Sequence, residues 1–164
     1  MEIESLQELL VEEMRDIYNA GVQLTKALPR MAKKACNPQL KQAFETHLRE
    51  TEGHAKRLQQ VFDKLGKKPT GKKCAAMEGL IEEGKEMMAE DMDEETMDAA
   101  LIAIAQKVEH YEIASYGTVR TWAQHVGDDQ TARLLQQTLD EEGKTDKLLT
   151  QLAESSINLE AAHA

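Results

Sequence analysis

The sequence predicts an all-α chain: four long helices in a bundle, with a short helix in the crossover between the second and third. Three observations predict it. The chain of 164 residues is poor in aromatic residues, at 4%, and in breakers, with 3 Pro and 9 Gly. Its apolar residues recur at steps of three and four over four long stretches, the spacing of an inward helix stripe. Few β-branched and aromatic residues beside much Ala, Leu, Glu, Lys, Gln and Met favour helix over strand.

The first helix is expected from about Ile3 to Ala35. Leu10, Met14, Ile17, Leu24, Leu28 and Met31 form its stripe, with one gap at Gly21. Pro29 should kink it or end its regular part. Asn37 reads as the N-cap and Pro38 as the first-turn proline of a second helix running to about Leu65. Its inward positions are Leu40, Phe44, His47, Thr51, His54, Leu58, Val61 and Leu65. Residues 66–71 (GKKPTG) read as a loop. A short helix follows from about Cys74 to Met88, then an acidic turn over Asp91–Glu95. The third long helix spans about Glu95 to Val126, with Ile102, Ala105, Glu109, Glu112, Tyr116, Val119 and Ala123 inward. Gly127-Asp128-Asp129 stops it and starts the fourth, expected to reach Ser155. One domain over residues 1–164 is expected, with a frayed tail from about 157.

Charge narrows the function. The formal net charge is −10, which disfavours nucleic acid and anionic membranes as partners. No apolar run approaches the ~20 residues of a membrane span. The first residues show no signal-peptide pattern, and Cys36 and Cys74 have neither a CxxC nor a zinc spacing. Unpaired thiols in a cytoplasmic protein are the expectation.

The functional signal is polar residues where a core stripe calls for leucine. Glu109 and Glu112 replace two successive core positions of the third long helix. Glu50 and His54 share a face of the second with Leu58 and Val61. On the fourth, one stripe reads Leu134, Thr138, Glu141, Thr145, Leu148 and its neighbour reads Leu135, Leu139, Glu142, Asp146, Leu149. Buried carboxylates are costly and repel one another; a divalent cation resolves both problems. Oxygen ligands with one or two imidazoles suit iron or manganese. The candidate metal ligands are Glu50, His54, Glu109, Glu112, Glu141 and Glu142. Wheel geometry leaves open which of Glu141 and Glu142 is the ligand. His47, His110 and His125 read as ordinary bundle histidines. Glu13, Asp16, Glu82 and Glu83 read as solvated. Tyr18, Tyr111 and Tyr116 read as packing residues with satisfied hydroxyls.

A weak internal repeat aligns His47-Leu48-Arg49-Glu50 with Thr138-Leu139-Asp140-Glu141, and Lys56-Arg57-Leu58 with Lys147-Leu148-Leu149. It pairs position 21 with Glu112 and His54 with Thr145.

Several runs resemble the YciF/YciE-like family of ferritin-like bacterial stress proteins. They are ALPRM at 27–31, HLRET at 47–51, AMEGLIEE at 76–83, DAALI at 98–102, QKVEHYEIASYGT at 106–118 and LDEE at 139–142. The resemblance covers nearly the whole chain. It implies a ferritin-like four-helix bundle, a homodimer, and a carboxylate site for one or two Fe ions, or Mn. By fold analogy it also implies a ferroxidase-like activity, the oxidation of Fe(II) with oxygen or peroxide. The family's first helix usually carries Glu after Tyr-x-Ala; here Tyr18-Asn19-Ala20 is followed by Gly21. The family often has Gln where this chain has His54. A non-enzymatic dimeric stress protein with a degenerate site is the alternative reading.

Overall fold

A computed structural model describes residues 3–164; Met1 and Glu2, part of the N-terminus read above, lie outside them. The long helices are α1 (Leu6–Lys34), α2 (Pro38–Leu65), α4 (Glu94–His125) and α5 (Asp129–Leu152). The crossover carries α3 (Ala75–Ala89). A π-helical turn (Ala153–Ile157) leads into α6 (Asn158–Ala162).

Side-chain caps set most of the boundaries. Ser5 starts α1 by accepting from Glu8 N at 3.2 Å, so the helix begins at Leu6 and not at Ile3. Asn37 caps α2 through Gln39 N and Leu40 N, with Pro38 in its first turn. The Cys74 thiol caps α3, accepting from Met77 N. Asp93 and Asp128 cap α4 and α5. Gly66 and Gly127 lie at φ 63° and 81°, the left-handed region where a helix reverses and glycine is favoured. Helix α1 continues through Pro29 to Lys34.

Two chain reversals fix the directions. Asp98, near the start of α4, accepts from Cys36 N and Asn37 N at 2.9 and 2.7 Å. Lys64, at the end of α2, pairs with Asp128 between α4 and α5 at 2.5 Å. Hence α2 and α4 run parallel, and the crossover with α3 returns the chain along the bundle. Helix α1 packs on α2 and α4, and α5 packs on α4 and α2.

The core comes in two halves. One apolar cluster joins Leu24, Leu28, Leu40, Phe44, Leu101 and Leu149. The other joins Leu10, Met14, Ile17, Leu58, Phe62 and Val119. Between them lies a polar layer.

The tail, where fraying is expected, carries no buried residue after Ile157. Ile157 is buried in the first cluster, and α6 packs on α4. The π-helical turn adds a residue to the repeat. That realigns Ile157 with Leu149, Leu152 and Ala153, which are also buried there.

Candidate metal centre

The polar layer holds His47, Thr51 and His54 from α2, Glu109 and Glu112 from α4, and Thr138, Glu142 and Thr145 from α5; all are buried. Each sits on its helix's inward stripe. Helix α1 contributes Gly21, buried and without a side chain. A Cβ built there would meet no atom within 4 Å, so the layer is hollow on the α1 side.

Ligating atoms of His47, Glu109 and Glu142 all lie within 4.8 Å of one another. His47 Nε2 is 2.6 Å from Glu109 Oε1, and His54 Nδ1 is 2.9 Å from Glu142 Oε1. Neither contact has the alignment of a hydrogen bond. Seven buried atoms of the layer lack an aligned partner among the described residues: His47 Nδ1 and Nε2, His54 Nδ1, Glu109 Oε2, Glu112 Oε1 and both Glu142 carboxylate oxygens. Buried polar atoms are ordinarily satisfied. Their convergence on one level fits a cation whose ligands they would be. The donor set is oxygen and imidazole without thiolate, the chemistry iron and manganese accept.

Electrostatics agree. Burial pushes Glu109 up to about 8, against 4.5 ordinarily, and neighbouring acids add to it. Burial raises Glu142 to about 8, with Glu109 beside it contributing. Glu112 is raised well above the usual range by burial and by Glu142. Without a cation these groups hold protons far more tightly than solvated carboxyls do.

Glu141 and Glu142 separate clearly. Glu142 has no solvent exposure, whereas the Glu141 side chain is 33% exposed. Glu141 takes a two-pronged contact from Arg57 and lies 2.6 Å from His54 Nε2. Burial raises its carboxyl, but Arg57 and His54 outweigh that and hold it below its usual range. Glu141 thus orients His54 from outside, while His54 Nδ1 faces Glu142. Arg57 also donates to Thr138 Oγ1. The inward face of α5 draws on both expected stripes: Leu135, Glu142 and Leu149 from one and Thr138 and Thr145 from the other are buried, whereas Glu141 is half-buried and Leu148 exposed. Glu50 stands at the rim, 3.9 Å from His47 Nδ1, and accepts from Thr145 Oγ1 at 3.3 Å.

The repeat is spatial. His54 reaches Glu141, and its counterpart Thr145 reaches Glu50, the counterpart of Glu141. An approximate two-fold axis therefore passes between α2 and α5.

His47, which reads in the sequence as an ordinary bundle histidine, stands beside Glu109 and Glu142 in the layer. Its signal was present: it lies on the inward α2 stripe, two turns before His54. Asp16 also departs from the solvated reading, because Tyr111 Oη donates to it at 2.7 Å beside Cys74 Sγ. Glu82 and Glu83 are exposed, and His110 and His125 lie on the surface. Cys36 and Cys74 are unpaired. Tyr116 is buried with its ring edge toward His54.

A family model described as "Domain of unknown function (DUF892)" matches residues 5–162. The chain belongs to the DUF892 family. It is 46% identical over 162 residues to Protein YciF of Escherichia coli (strain K12), covering 98% of each chain. Among solved structures, the E. coli stress protein YciF superposes with a TM-score of 0.91 at 46% identity, over 95% of this chain and 99% of that one. YcfI of Rhodopseudomonas palustris gives 0.88 at 46% identity, over 91% and 95%. A Xanthomonas campestris protein at 21% identity gives 0.76 over 98% of this chain and the whole of the other, a likeness of fold. Among the described residues of this DUF892 member, no helix is long and apolar enough to cross a membrane.

Proposed function

We propose that this DUF892 protein is a ferritin-like, metal-binding stress protein that holds one or two iron or manganese ions in its polar layer. The observation that carries the reading is the set of seven buried, unpartnered nitrogen and oxygen atoms around His47, Glu109 and Glu142. A bound ion supplies positive charge and, for iron, one-electron chemistry toward oxygen or peroxide. His47, Glu109 and Glu142 hold it; Glu112 and His54 complete the inner face; Glu50 stands at the rim. Glu109 and Glu142 release their protons as they become ligands. The two apolar clusters keep bulk water out. In the ferroxidase reading, Fe(II) is the substrate and gives up one electron per ion to oxygen or peroxide. The resemblance further implies a homodimer in the cytoplasm, and sedimentation equilibrium tests the dimer.

The second reading is a non-enzymatic stress protein with a degenerate site. Gly21 favours it, since α1 supplies no ligand. So does the Arg57–Glu141 pair, which already neutralises one of the candidate carboxylates.

Elemental analysis of untagged protein, followed by anaerobic Fe(II) and Mn(II) titration of the stripped protein, separates the two. One or two tight ions per chain, lost in Glu109→Gln and Glu142→Gln with the helical content intact, support the metal centre. Oxidation on admitting oxygen then supports the ferroxidase. No stoichiometric binding by folded protein overturns both and leaves the structural reading.

A further inference from the structure

A second site lies on the opposite side of α1 from α2, where α1, α3 and α4 meet. They enclose a half-open cavity of about 220 Å³. Leu24, Ile81, Ile104 and Val108 are among its walls, and Lys26, Arg30 and Lys85 stand at its mouth. Among the described residues these three are its only charged lining residues, and all are cations, in a chain with 30 acidic and 20 basic residues. Lys26 and Arg30 are one helical turn apart on α1 and exposed, so both reach the same rim. Lys85 pairs with the exposed Glu82 at 3.2 Å; Lys26 and Arg30 have no ion pair among the described residues.

Gly84 sets the depth. A Cβ there would fall 2.9 Å from Ile104 Cγ2, so the missing side chain lets α3 lie close on α4 and shape the trough. Met31 and Met88 also line it, and their unbranched thioether chains adapt to an irregular occupant.

An apolar trough with a cationic mouth fits an amphipathic anion. We propose that this cavity binds a medium-chain fatty acid, with its chain in the trough and its carboxylate at Lys26 and Arg30. A methylene occupies about the volume of a water molecule, so the space suits a chain of roughly seven or eight carbons. The site is separate from the polar layer, and nothing in it depends on a metal.

The test is calorimetric titration of octanoate into the metal-stripped, full-length protein. Saturable binding of one octanoate per chain is expected. Lys26→Glu with Arg30→Glu should weaken it by about tenfold or more, and octanol, the same chain without charge, should bind more weakly than octanoate. Ala27→Phe fills the trough and should abolish binding; the charge-reversal pair is exposed and serves as the test if Ala27→Phe does not fold. Glu142→Gln should leave octanoate binding unchanged, and a loss there would place the carboxylate in the polar layer and overturn the assignment. Binding that survives charge reversal, or none that saturates, also overturns it. If wild type fails to bind octanoate and charge reversal changes the sedimentation coefficient, the face joins copies of this chain and the fatty-acid site is wrong.

Discussion

Glu142 concentrates the conflict between stability and binding. It is a fully buried carboxyl with both oxygens unpartnered. Burying a polar group without an aligned hydrogen-bond partner carries a desolvation cost of about 1–3 kcal/mol, which an apolar side chain of similar volume avoids. Glu142→Leu should therefore raise the unfolding free energy of the metal-free protein by about 1–3 kcal/mol while removing the proposed metal binding. Urea unfolding and metal titration on the same preparation check both halves; a destabilised variant would mean that Glu142 has a satisfied partner in the metal-free state. Gly21 offers the complementary case. It is mid-helix, at ordinary helical φ, with open space where its Cβ would sit. Gly21→Ala should stabilise by about 1 kcal/mol, the helix-propensity difference, read as a higher urea midpoint at unchanged slope.

Among the elements, the joint between α1 and α2 depends on a residue from α4. Cys36 and Asn37 stand at a chain reversal where backbone N–H groups have no helical partner. The buried Asp98 carboxylate accepts from both. Asp98→Ala should cost about 3 kcal/mol, since hydrogen bonds to a charged group are worth about 1.5–3 kcal/mol each. Asp98→Asn keeps one acceptor and should lose less. Chemical denaturation of the two variants ranks them; equal losses would point to packing and not to the paired acceptance. The π-helical turn carries Ile157 onto the buried side, the last apolar anchor of the chain.

For the whole molecule, the polar layer couples folding to pH. Glu109 and Glu142 titrate near 8 in the folded chain, against 4.5 ordinarily. A raised folded value means that the native state binds the proton more tightly than the unfolded state. The stability these protons confer is complete below 4.5 and is lost as pH rises toward about 8. Glu50 and Glu141 act oppositely, held below their usual range, and matter only as pH falls under it. The Tm of metal-free protein should fall from about pH 5 to about pH 8, and saturating Mn(II) should flatten or reverse that slope by favouring the ionised carboxylates. Scanning calorimetry at several pH values, with and without the ion, checks it. A metal-free Tm that rises through this window would show that the layer is already ionised and compensated.

The helices were legible because each signal is local. Asn37 caps α2 through its own side chain, as read, and the stripes of α1, α2 and α4 are buried almost position for position; the Ser5 cap is equally local, but the reading places the start of α1 at Ile3. The level of the polar residues was legible too, since glutamates and a histidine interrupt apolar stripes near mid-helix. The choice between Glu141 and Glu142 was not. They lie about 100° apart on the helix, and only the packing of α5 against α2 and α4 turns Glu142 inward and leaves Glu141 to Arg57. His47 escaped for the same reason. An imidazole on an inward stripe becomes a candidate ligand only when another helix sets a carboxylate beside it, and Glu109 arrives from a residue 62 positions away. The sequence by itself determined where helices start and stop and which side of each avoids water, because caps and periodicity act within a few residues. Tertiary structure decided which polar groups meet, because rotation and register between helices follow from the packing of whole faces.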